Sequence, residues 1–149
     1  MLSLVISIYR ENEMGNVFAE ITVKNNIDLA KVRDGTISEN DVRTVTLTAL
    51  VDTGATSLVI NDDICQKLGL TVIRNGTANL AGNIRMECKI TEPVQINWKD
   101  RQVDINAVVL PGDKILLGVI PLEFMDLMVD PVRQELVGAN GDQAMLQVM

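Results

Sequence analysis

The sequence predicts a mainly β domain carrying one or two short helices. Three observations lead there. Apolar and polar residues alternate along VFAEITVKN (17–25) and VRTVTLTALVD (42–52), the two-residue period of a half-buried strand. β-Branched Val, Ile and Thr crowd these runs, where their stiff side chains suit a pleated surface. Segments with helical start and stop signals are few and short.

Taken in order, MLSLVISIYR (1–10) is an apolar run broken by serines, with no basic stretch before it, and reads as a strand. VFAEITVKN is the next strand, and VRDGTISENDV (32–42) a polar loop. VRTVTLTALVD follows as a strand. NDDICQKLGL (61–70) is a short helix: Asn61 or Asp62 caps it, acids fill its first turn, Lys67 lies near its end and Gly69 stops it. KITEPVQINW (89–98) and QVDINAVVL (102–110) form a hairpin through Lys99, Asp100 and Arg101. IPLEFMDL (120–127) starts as a helix at Pro121, and Asp130-Pro131 ends that segment with a turn. Glu135, Leu136 and Val137 make a closing strand, and GANGDQAMLQVM (138–149), which begins with turn residues, a tail or an added strand. No internal repeat and no domain boundary interrupts the chain.

Composition narrows the function. The 149 residues suffice for one domain with a real core, and 47% of them are apolar. A net charge of −7 argues against a nucleic-acid or anionic-membrane partner, both of which call for clustered Lys and Arg. The apolar stretch 115–129 contains Gly, Pro, Glu and Asp, too short and too polar to span a bilayer. The only cysteines, Cys65 and Cys88, form no CxxC; they read as buried structural thiols in a reducing, cytoplasmic setting. Histidine is absent, which removes Ser-His and Cys-His nucleophile systems and His-based metal sites. No acidic metal loop appears, so neither a metal nor another cofactor is expected.

One stretch points to chemistry. ALVDTGATSLVI (49–60) holds a carboxylate and a glycine inside an apolar run. A strand delivers Asp52 to its end, Gly54 permits a tight turn, and a second apolar run restarts at Leu58. A carboxylate kept among apolar residues costs several kcal/mol unless it is bonded or paired, so its place invites a functional reading. Alone, an Asp is a poor general base near neutral pH and no acid at all. Two close carboxylates share a proton, and the pair can then do both tasks. The chain has one such Asp, so a pair requires two chains. If Asp-Thr-Gly were only a surface turn, Asp52 would be dispensable.

This stretch resembles the active-site signature of the retropepsin-like aspartic proteases. ILLG (115–118) resembles that family's second element, two apolar residues and a glycine, and ILLGVIPLEFMDLMVDP and MGNVFAEITVKN resemble its small bacterial members. The likeness runs from Met14 to Val137, leaving residues 1–13 as an N-terminal extension and the tail after Val137. It implies a closed β-barrel acting as a homodimer: an aspartic endopeptidase in which paired Asp52 carboxylates activate water against a polypeptide substrate. It implies that Thr53 bonds across the two-fold axis and that Gly54 leaves room for the substrate backbone. Leu117 and Gly118 would then pack beneath the loop. A flap is implied within 75–90, with Leu80, Ala81, Gly82 and Asn83 at its end. Ala55 stands where the two-domain pepsins carry a hydroxyl, which implies a pH optimum nearer neutral than theirs. Val51, Val59 and Ile84 are candidates for substrate subsites or for core. Trp98 is expected to pack at a hairpin end. The alternative is a non-catalytic dimer binding peptide on the same fold.

Overall fold

The computed structural model describes residues 16–80 and 82–140. The strand expected at 1–10, most of the N-terminal extension's boundary, and the tail beyond 140 lie outside those residues. Strand β1 (Phe18–Asn25) is followed by helix α1 (Asn26–Arg33) and a 3-10 turn at Glu39–Asp41. Next come β2 (Thr44–Val51), β3 (Leu58–Ile60), α2 (Asp62–Lys67), β4 (Val72–Leu80), β5 (Ile84–Trp98) and β6 (Arg101–Val109). The chain then forms β7 (Leu116–Leu117), α3 (Val119–Phe124), β8 (Leu127–Asp130) and β9 (Glu135–Gly138).

The alternation along β1 decides its facing. Ala19, Ile21 and Val23 are buried, while Phe18 and Glu20 face out. β1 runs antiparallel to β2, from Phe18 opposite Leu50 to Lys24 opposite Thr44. The sheet continues β2-β7-β3-β6-β5, and β5 pairs with β1 from Thr22–Asn97 to Asn25–Val94. That last pairing closes the sheet into a barrel. Ile21, Val23, Val51, Leu58, Ile60, Leu68, Val94, Ile96 and Leu117 fill it. β4 lies outside the ring, paired with the first half of the 15-residue β5. The β5–β6 register shifts between Ile90 and Pro93, at a proline that has no N–H to donate. The Asn106 side-chain amide donates to the Thr91 carbonyl at 2.7 Å, and the Ala107 N–H donates to the Thr91 hydroxyl at 3.2 Å, so the bulge leaves Thr91 bonded.

Helix α2 behaves as its sequence predicts. Asn61 is the cap, accepting from the Ile64 N–H at 2.9 Å, and Gly69 follows the last turn with φ +61°. The β5–β6 hairpin turns through Lys99 and Asp100 alone, because Trp98 already faces Arg101.

Two further expectations are corrected. Part of the polar loop 32–42 is helical: α1 ends at Arg33 and a 3-10 turn spans Glu39–Asp41. Its cause is distributed. The Asn25 side chain accepts from the Asp28 N–H and donates to the Leu68 carbonyl. The nearly buried Asp28 carboxylate takes both Arg43 Nε and Nη2 at 2.8 Å. No apolar stripe announces such a helix. The helix expected to reach Leu127 stops at Phe124, because Asp126 takes a left-handed φ of 56°. Leu127 then begins β8, which pairs with β9 in a separate two-stranded sheet. Strand β9 runs to Gly138, and the Ala139 N–H donates to the Asp126 carbonyl.

Candidate active site

Asp52 is set by backbone on both sides. The Leu50 N–H donates to the Ile115 carbonyl at 2.9 Å and the Asp52 N–H to the Leu117 carbonyl at 3.0 Å, extending the parallel β2–β7 pairing past the strand end. The chain then turns sharply. The Asp52 carboxylate accepts the Gly54 N–H at 2.9 Å, and its carbonyl accepts the Ala55 N–H at 3.0 Å. The turn leaves Asp52 and Ala55 half-buried, Thr53 buried and Gly54 exposed.

The return arm is bolted to α3. The N–H groups of Gly118, Val119 and Ile120 donate to the carbonyls of Ser57, Ala55 and Thr56 at 2.9, 2.9 and 3.0 Å. The Ser57 hydroxyl reaches over to the Asn106 carbonyl at 3.0 Å. Gly118 has to be glycine here: a Cβ would lie 2.5 Å from the Ser57 carbonyl oxygen and 2.7 Å from that of Ala55. Leu117 is wholly buried beneath the loop. ILLG and DTGATS are thus one interlocked structure, although Gly118 lies 64 residues after Gly54 in the chain.

The β4–β5 hairpin extends from the barrel beyond β5. Leu80 pairs with Ile84, and the tip carries Gly82 at φ 80° and Asn83 at φ 61°; Ala81 lies outside the described residues. Glycine takes that conformation freely and asparagine more readily than most residues. Ala78, Leu80, Met86 and Cys88 pack with Val59, Leu110 and Leu116 in a second apolar cluster, separate from the barrel interior. A cleft of about 550 Å³ opens between the hairpin, Asp62 and Pro111, and another of about 470 Å³ lies between Phe18, Trp98 and Leu136. Neither reaches Asp52.

The remaining candidates divide cleanly. Val51 belongs to the barrel core, Val59 to the second cluster, and Ile84 is exposed on the hairpin. Trp98 sits at a hairpin end with the Lys99 ammonium 4.6 Å from its ring centre. Asp62 and Asp63 occupy the first turn of α2, and the Asp130 carboxylate accepts from the Val132 and Arg133 N–H groups, shaping the β8–β9 turn. Both cysteines are free and buried, and burial pushes the Cys65 thiol up, away from its reactive thiolate. Sequence reasoning missed the three carbonyls of Ala55, Thr56 and Ser57 that receive α3, since backbone acceptors leave no signature in residue type. It also missed Arg101, taken as a mere turn residue and in fact buried.

A closed barrel with Asp-Thr-Gly at a strand end, locked to a downstream Leu-Leu-Gly, defines a retropepsin-like aspartyl protease fold. Residues 38–123 match the family model described as gag-polyprotein putative aspartyl protease, and the chain belongs to that family. Among solved structures it is similar to EIAV protease complexed with the inhibitor HBY-793, at 20% identity and a TM-score of 0.50. That likeness covers 73% of this chain and 86% of the other, and it concerns the fold. A comparison with curated proteins gives no match.

Proposed function

We propose that the protein is a homodimeric aspartic endopeptidase, its site completed by Asp52 from each of two chains. One observation carries this reading. The backbone-locked loop presents a single half-buried carboxylate next to Thr53, whose hydroxyl is buried with no hydrogen-bond partner among the described residues. An unsatisfied buried hydroxyl costs about 1–3 kcal/mol, and a second copy of the loop across a two-fold axis removes that cost.

In the dimer the two Asp52 carboxylates hold one proton between them. The ionised one takes a proton from a water, whose oxygen attacks the peptide carbonyl carbon. The protonated one gives its proton to the carbonyl oxygen, leaving a neutral tetrahedral diol. Collapse returns a proton to the amide nitrogen as the C–N bond breaks, so no covalent enzyme intermediate forms. Thr53 bonds across the axis, Gly54 leaves room for the substrate backbone, and Leu117 and Gly118 support the loop from below. The hairpin ending in Leu80, Ala81, Gly82 and Asn83 closes over an extended polypeptide in strand fashion. Two unpaired thiols favour a cytoplasmic setting. Residues 14–137 form the protease domain in this reading.

The test is cleavage of an unstructured protein from about pH 3 to about pH 8, spanning the carboxylate range and neutrality. Wild type and Asp52→Asn are compared, with sedimentation confirming equal dimerisation. Loss of activity by at least about a hundredfold in Asp52→Asn is the expected result. Equal cleavage by both proteins would end the proposal, as would a strictly monomeric active species. A folded wild-type dimer without activity would favour the peptide-binding alternative.

A further inference from the structure

Arg101 is a buried charge for which the proposed chemistry has no use. It opens β6 opposite Trp98, and its side chain is only 3% exposed. Its Nη1 donates to the Met125 carbonyl at 3.1 Å and the Asp126 carbonyl at 2.6 Å, those of the cap residue that ends α3 and of the residue after it. Those groups have no partner within a helix, and a cation there also favours the negative end of the helix dipole. The buried Asp126 carboxylate lies 4.0 Å from the same Nη1 and accepts the Asn140 side-chain amide at 2.7 Å. The Asp126 carbonyl further accepts the Ala139 N–H at 2.8 Å. The guanidinium therefore joins the β5–β6 hairpin to the end of α3, and Asp126 carries the link on to the turn after β9.

The opposite end of α3 is the catalytic loop. Gly118, Val119 and Ile120 hold Ser57, Ala55 and Thr56 by their N–H groups, and between the two ends Leu122 and Met125 sit in the barrel core. A helix of six residues, pinned at both ends and packed along its side, has no soft joint. We propose that Arg101 is a positioning residue: by fixing the C-terminal end of α3 it sets the height of the Asp52 loop. It touches neither substrate nor reacting atoms. The inference rests on the protease reading for its effect on turnover, but its structural half does not.

The discriminating variants are Arg101→Lys, which keeps the charge but loses the planar fork, and Asp126→Asn, which keeps the shape but loses the charge. The first readout is amide hydrogen exchange, which needs no activity. Arg101→Lys should speed exchange at Gly118, Val119 and Ile120 by about tenfold or more while the β1–β2 amides stay protected. The second is kinetic: kcat should fall about tenfold with KM within twofold and the dimer intact, because transition-state geometry suffers rather than binding. Asp126→Asn should show the same pattern more weakly, and it serves alone if Arg101→Lys does not fold. A folded variant that exchanges faster only around Asp126 and Ala139, with Gly118–Ile120 unchanged, overturns the proposal. So does a lowered melting temperature with wild-type kcat. If wild type proves inactive, the protease reading falls, and the exchange result still decides whether Arg101 fixes the loop.

Discussion

Gly118 and Gly69 both sit where a Cβ would collide, yet different matter fills the space. At Gly118 the neighbours are backbone: the Ser57 and Ala55 carbonyls and the Ser57 nitrogen, all within 2.7 Å of the missing atom. At Gly69 the neighbour is the Arg43 guanidinium, the far end of a flexible side chain. The first crossing lies under Asp52; the second ties α1 to α2 at the closed end of the β1–β2 pair. A backbone crossing cannot yield without breaking the hydrogen bonds that define it, whereas a side chain can swing into water. The candidate site is therefore built from the less forgiving material, which suits a loop that has to hold a carboxylate in one place.

The strongest way to break this comparison is Gly118→Ala. The added methyl cannot be met by a rotamer change, so either the loop or α3 must shift, and the bonds to Ala55, Thr56 and Ser57 are strained together. A destabilisation of about 3 kcal/mol or more is expected. At fixed protein concentration that lowers the melting temperature by roughly 10 °C, and proteolysis should vanish even where the protein remains folded. A Gly118→Ala protein of wild-type stability and activity would mean that the two segments slide past each other freely.

Gly69→Ala should cost less. Its φ of 61° disfavours an L residue by about 1–2 kcal/mol, and the methyl would displace Arg43 from Asp28. The guanidinium is about half exposed and can find water, so the total should stay near 2 kcal/mol with kcat unaffected. Thermal melts and turnover measured on one preparation separate the two glycines: one change should abolish catalysis, the other only lower the melt. Loss of turnover in Gly69→Ala would show that the two ends of the barrel are coupled.

The same contrast explains what could be read from the sequence. ALVDTGATSLVI and ILLG were legible because backbone crossings demand particular small or apolar residues at set positions, and those demands are visible in the letters. Strands β1 and β2 were legible from their two-residue period, although their pairing was not. Helix α1 was not, because what makes NIDLAKVR helical lies elsewhere: the Asn25 cap reaching Leu68, and Arg43 reaching back to Asp28. Arg101 was hidden for the same reason, since its partners at Met125 and Asp126 follow it by 24 and 25 residues.

The smallest expected effect tests the side-chain end by pH. Arg43 beside Asp28 holds its carboxyl below the ordinary carboxylate value, through hydrogen bonds to the guanidinium first; burial opposes this without cancelling it. A folded-state pKa below the unfolded one means that the native protein binds this proton less readily. The contribution is therefore present in full above the reference value of about 3.9 and is lost as pH falls below it. Asp28→Asn removes the charge and with it that dependence. At neutral pH it should be about 1 kcal/mol less stable than wild type, a modest figure because the guanidinium is half in water. Urea melts of both proteins, taken from neutrality downward, should draw together below about pH 4. A gap that stays constant would locate the loss in packing around α1 rather than in the ion pair. It would also make the closed end, like the end beneath Asp52, a matter of shape rather than of charge.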